Sequence, residues 1–170
     1  MVTGLKKTSG PIVVSFQVDT AAPNAFEQAQ VSLQLNVLDR EVFVCTGTNL
    51  DISPPDAQAG VDTRVRGSLS TTSRTTIGDL ADNNVIASAR DDIKAAGFVD
   101  GGCAFSSSWG ESPAVGMEFL QIIATNDFFV QVDGNANLGN SFMTGKLYGY
   151  RAIASADIFA ALTQSELLSA

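Results

Sequence analysis

Apolar and polar residues alternate along much of this chain. From Val31 to Val37 the order is Val-Ser-Leu-Gln-Leu-Asn-Val. A period of two sets one face of a strand on a core and the other in water. Residues 11–18 read as a strand entered through Pro11, where no ladder hydrogen bond is lost. Residues 42–46, 119–124, 128–132 and 142–153 also read as strands. Polar breaks at 38–41 and 125–127 predict two hairpins, one joining 31–37 to 42–46 and one joining 119–124 to 128–132. Adjacent Pro54 and Pro55 place 49–60 in a loop. The Ser/Thr-rich stretch 63–77 is expected as exposed strand and turn.

Two segments depart from this rhythm. Asp82-Asn83 can cap a helix, Val85, Ile86, Ala89 and Ile93 follow at helical spacing, and Gly97 stands where a helix ends. This predicts a helix over 83–96, with Asp91 and Asp92 on its solvated face. Ser155 can cap a second helix carrying Ile158, Phe159 and Leu162 on one side. With short strands, frequent turns and no alternating βαβ units, the chain is expected to be mainly β. The expected fold is a jelly-roll-like antiparallel sandwich with one inserted helix and a short C-terminal helix or arm. A single β-sandwich domain over 1–170 is expected, with 1–10 as an N-terminal arm and 155–170 as a C-terminal helix or arm.

Composition narrows the partners. Of 170 residues, 45% are hydrophobic and 16% charged, which is too apolar for a disordered chain; so little charge fits either surface hidden in partner contacts or a monomer coated in Ser, Thr, Asn and Gln. The net charge is −8, and the basic clusters are small: Lys6-Lys7, Arg64 with Arg66, and Arg74. Phosphate binding needs denser cation clusters, so no direct nucleic-acid partner is expected. No run approaches a membrane-spanning length, and Thr8-Ser9-Gly10-Pro11 stands where a secretory signal would be apolar, so synthesis in a cytoplasm is expected.

The chain contains no histidine. Ser-His-Asp and Cys-His catalysis and mixed Cys/His zinc sites are therefore excluded, and two cysteines cannot build a four-thiolate site. Cys45 lies in an apolar strand pattern and reads as a buried thiol; a bond to Cys103 has no framework spacing behind it. Glu111 and Glu118 flank Trp109 and could pair as in glycoside hydrolysis, although a packed indole explains the same residues. Asp133, Asn135 and Asn137 alternate like the start of a calcium loop, but Leu138 and Thr144 replace the required Gly and Glu, so a turn is the better reading. The expectation is a non-enzyme without cofactor or metal. Trp109, Tyr148 and Tyr150 are candidate stacking platforms for a glycan. Leu5, Lys6, Lys7, Ile158, Phe159, Leu162, Leu167 and Leu168 are candidate partner contacts; the apolar ones among them either cover the core or dock on a neighbour.

The stretch from Phe128-Phe-Val-Gln-Val-Asp-Gly to Lys146-Leu-Tyr-Gly-Tyr-Arg-Ala152 resembles the closing hairpin of small β-rich virion proteins of tailed bacteriophages. Residues 31–53 are similar in style, and together the two cover under half the chain. By size the resemblance points to a capsid decoration, or cement, protein. It implies an often trimeric jelly roll in the virion, made in the host cytoplasm, that bridges neighbouring subunits of a major capsid protein. A tail, neck or fibre component and a carbohydrate-binding module are the alternatives.

Overall fold

The structure is a computed structural model that describes residues 4–98, 105–110 and 117–168, the middle stretch by its backbone alone. The described strands are β1 (Leu5–Lys7), β2 (Ile12–Asp19), β3 (Glu27–Ser32), β4 (Glu41–Ile52), β5 (Thr63–Ser70), β6 (Val85–Lys94), β7 (Phe105–Gly110), β8 (Gln121–Ile123), β9 (Asp127–Asn135) and β10 (Phe142–Ala154). One helix, α1 (Ala156–Leu168), ends the described chain. The first sheet has the order β1-β10-β4-β8, with β2 also on β10; the second has the order β3-β9-β5-β6-β7.

These orders follow from one long folded ribbon. The chain doubles back at the β5–β6 connection, and its halves pair antiparallel as β5·β6, β4·β8, β3·β9 and β2·β10. Rolling that ribbon brings β10 against β4 and β9 against β5. The product is an antiparallel jelly roll, with β7 as an added strand beside β6.

The core between the sheets holds Phe16, Phe43, Val65, Leu69, Phe128, Val130, Val132, Met143 and Leu147 among others. The rings of Phe16 and Phe128 meet edge to face at 5.7 Å. A second apolar cluster lies on the outer face of the first sheet, where Leu5, Val42, Val44, Ile122, Ala124, Ala152 and Ala154 pack with Ile158, Phe159 and Leu162 of α1. The unbroken apolar run Val42–Cys45 thus serves two faces, with Phe43 and Cys45 pointing inward and Val42 and Val44 pointing under the helix.

Several sequence expectations are corrected. The predicted helix over 83–96 is the strand β6. Val85, Ala87 and Ala89 are buried at a period of two, and the partner strand β5 fixes Arg66 opposite Arg90 and Arg64 opposite Asp92. Tertiary pairing overrides a weak local helical pattern here. Asp92, expected on a solvated face, is buried. The two predicted hairpins do not form. β3 and β4 lie in different sheets, as do β8 and β9, so the polar breaks are crossovers between sheets. The 63–77 stretch is not an exposed strand, because β5 lies inside the second sheet with Ser68 and Ser70 buried.

Candidate functional site

A network of polar side chains covers part of the second sheet. On the outer face of the second sheet, Arg66 makes a two-pronged contact with Asp133, at 3.0 and 2.6 Å. Asp92 accepts from Arg64 at 2.6 Å and from Arg90. Burial pushes the Asp92 carboxyl up, but hydrogen bonds from Arg90 and Arg64 outweigh it and hold the group below its ordinary range. Beside this cluster, Gln131 is fully buried. It accepts from Ser68 Oγ at 2.8 Å and donates to Ser70 Oγ at 2.7 Å and to Gln28 Oε1 at 3.0 Å. The backbone of Arg74 donates to the same Gln28 oxygen at 2.8 Å, which fastens the β5–β6 connection over the sheet. Arg64, Arg66 and Arg90 are thus held by two carboxylates of the same sheet, Asp92 and Asp133.

The turn at 136–140, where a calcium loop was weighed, is likewise internally bonded. Asn137 Nδ2 donates to Arg64 O, and Asn137 Oδ1 accepts from Asp56 N. Asn137 also exchanges two bonds with Asn24, and Asp133 is held by Arg66. Leu138 N and Gly139 N donate to the Asp56 carboxylate at 2.7 and 3.0 Å. No metal-ligating cluster occurs among the described residues.

The predicted contact residues separate into groups. Leu5 is buried in the second cluster, and Ile158, Phe159 and Leu162 pack against it. Lys6 and Lys7 are exposed on β1, and Lys7 Nζ stands 4.5 Å from the centre of the Tyr150 ring. Leu167 and Leu168 remain 70% and 79% exposed on the last turn of α1. Between them and the core sits a residue the sequence did not single out. Glu166 is buried and accepts from Ala124 N at 3.0 Å and from Thr125 N at 3.1 Å, which ties the helix to the end of β8. Burial pushes its carboxyl above the ordinary range, and those hydrogen bonds offset only part of the effect.

The three candidate stacking residues are not equivalent. Tyr150 is half-buried against the second cluster beneath Lys7. Tyr148 is exposed, and its neighbour on β4 is Gly47, so no side chain covers it on that flank. It lines a shallow groove with Ser15, Asn49, Asp51, Thr144 and Lys146. Trp109 lies opposite Arg90 in the sheet register, and its side chain is outside the described residues, as are Glu111 and Cys103. Glu118 is exposed before β8. Cys45 is a free thiol whose pKa burial pushes up to about 12, so it is inert as a nucleophile at neutral pH. No described helix is long and apolar enough to cross a membrane.

Two turns hold leucines outward at opposite ends of the sandwich. Leu138 is 76% exposed on the pinned turn above. At the other end Leu38 is 95% exposed on a single 3-10 turn, Val37–Asp39. Asn36 braces that turn through bonds to Glu41 and Asp39 at 2.9 and 2.6 Å, and Arg40 closes it in the left-handed conformation.

No family model matches this chain, and neither does any curated protein. Among solved structures, a chain from Desmodium yellow mottle tymovirus is similar over 88% of this chain and 93% of its own, with 14% identity and a TM-score of 0.29. A likeness at that score carries no argument about function.

Proposed function

We propose that this protein is a structural subunit of a virion that works by contact and not by catalysis, most specifically as a capsid decoration protein bridging subunits of a major capsid protein. The sequence resemblance supports this reading. The jelly roll is compatible with it, since viral capsid and lectin domains both use that architecture, though a fold alone assigns no function. The observation that carries the reading is the pair of leucines, Leu38 and Leu138, held out on braced turns at the two ends of the sandwich. Neither contributes to a core, and both are fixed by hydrogen bonds that would position them against a neighbour. Such a subunit would also meet copies of itself. The resemblance favours a trimer.

The test is co-sedimentation with candidate shells. Leu38→Asp and Leu138→Asp are expected to weaken attachment at least about tenfold each, as loss of a desolvated apolar anchor does, while melting as the parent does. Attachment unchanged in both variants would count against the reading, as would turnover of a substrate by the protein.

One observation favours a second reading. The outer face of the first sheet sets exposed Tyr148 beside polar Ser15, Asn49, Asp51, Thr144 and Lys146, an arrangement able to stack and hydrogen-bond a sugar. Glycan-array binding that disappears in Tyr148→Ala would establish it.

A further inference from the structure

We propose that the outer edge of β2 pairs with the same edge of a second copy of this chain, antiparallel, about a two-fold axis at Val14. The inference deepens the assembly reading and rests on it for its purpose, although its test needs only the isolated protein.

An unpaired strand edge is a row of free N–H and C=O groups, and proteins that stay monomeric blunt such edges with charge, proline, bulges or short length. β8 is blunted by being three residues long. β3 opens with Glu27, and its Gln28 and Gln30 side chains are engaged by Ser73 and Asp127. Within its own span β2 shows none of these devices; Pro11 precedes it, and residues 8–11, four against Tyr150 and Arg151, form a bulge between it and β1. β2 runs eight residues, pairs with β10 without a bulge, contains no Pro, Lys or Arg, and carries one charge, Asp19, at its end. Among the described residues nothing pairs with its outer side.

The direction of the free groups is fixed by the ladder. Thr20 N donates to Ser141 O at 2.8 Å, one step beyond the Asp19–Phe142 pair. Antiparallel bonding alternates, so Val14, Phe16 and Val18 turn their backbone groups to β10, while Val13, Ser15 and Gln17 turn theirs outward. An axis at Val14 sets Val13 of one copy opposite Ser15 of the other, with both residues presenting outward groups.

The same axis matches charge. Along β10, Asp19 faces Phe142, Val14 faces Leu147 and Lys7 faces Ala152. Leu147 stands midway, five residues from each end. Asp19 of each copy therefore falls opposite Lys7 of the other, twice by symmetry. Both side chains are exposed, and they belong to the same face of the sheet. An axis at Val13 would set Asp19 against buried Leu5, and one at Ser15 would set it against Pro11; the Val14 axis sets Gln17 against Pro11, where Gln17 N can donate to the Pro11 carbonyl but receives no N–H in return. At present Asp19 accepts from Gln17 at 3.1 and 3.0 Å, and Lys7 rests on Tyr150. Exposed contacts of this kind exchange readily.

Sedimentation velocity of the full chain over a concentration series is the test. A species of twice the 17.8 kDa chain mass is expected, in place of the trimer that the resemblance favours, and a species of three times that mass overturns the two-fold pairing. Lys7→Asp and Asp19→Lys should each weaken it about tenfold or more, and the double variant should restore it, as complementary charge requires. Ser15→Pro removes an outward donor and leaves the β10 side intact, so the fold should persist by circular dichroism while the dimer disappears. A protein monomeric at every concentration overturns the proposal, as does a dimer indifferent to Ser15→Pro or a charge swap without rescue. Because shell attachment is read separately through Leu38 and Leu138, a failure here is distinguishable from failure of the assembly reading.

Discussion

Glu166 and Asp92 are both buried carboxylates, yet acid acts on them in opposite directions. Glu166 has its folded pKa raised by burial, so the native state holds its proton more tightly than the unfolded chain, whose value is near 4.5. Its linkage term lowers stability as pH rises from that value through the folded one. Asp92 is depressed by Arg90 and Arg64, which outweigh its burial. Its stabilising term is present above the ordinary 3.8 and is lost as pH falls through the lower folded value. Urea unfolding from about pH 3 to about pH 8 should show both slopes. Glu166→Gln should flatten the upper one and Asp92→Asn the lower one, each leaving the other in place. At neutral pH, Glu166→Ala should cost about 1–3 kcal/mol, because the N–H groups of Ala124 and Thr125 lose their acceptor.

At the scale of elements, β10 joins the two halves of the first sheet and has backbone of β4 close against its Gly145 and Gly149. Gly149 sits at the irregularity in its pairing with β4, and a Cβ there would overlap Val44 O and the Phe43 ring. Gly149→Ala is expected to destabilise by about 1–3 kcal/mol, the ordinary cost of overpacking. Gly97→Ala meets nothing within 4 Å and should be close to neutral in the same thermal melts. α1 shows how one element divides its work. Its Ile158, Phe159 and Leu162 cover Val42, Val44 and Ala152, and its last turn leaves Leu167 and Leu168 to solvent. The spacing of these residues marked an apolar helix, but it could not say which of them a sheet would cover.

For the whole molecule, the ribbon topology pairs the first strands with the last. Lys7 meets Ala152, and Asp19 meets Phe142. Folds dominated by such distant pairs close large loops before contacts repay the entropy, and they fold in about milliseconds to seconds. Stopped-flow refolding should fall in that range. Completion within microseconds would mean that local structure, and not strand pairing, limits the rate.

The sequence by itself determined that the chain is built mainly of strands, because β-branched and aromatic runs such as Ile12–Val18 and Val42–Thr46 favour a pleated backbone locally. The alternation along Val31–Val37 outruns its strand, since β3 ends at Ser32 and Val37 opens a 3-10 turn. The sequence also determined which histidine-dependent chemistries are absent. Only the tertiary structure decided which strands pair, because the polar breaks at 38–41 and 125–127 serve a crossover as well as a hairpin. It likewise decided that Val85–Lys94 is a strand, since β5 supplies partners that a weak helical stripe lacks. The candidate surfaces divide the same way. Tyr148 and Tyr150 look alike in sequence, but one stands beside Gly47 and the other beneath Lys7. Glu166 reads as one more polar helical residue until the end of β8 arrives with two N–H groups to be satisfied.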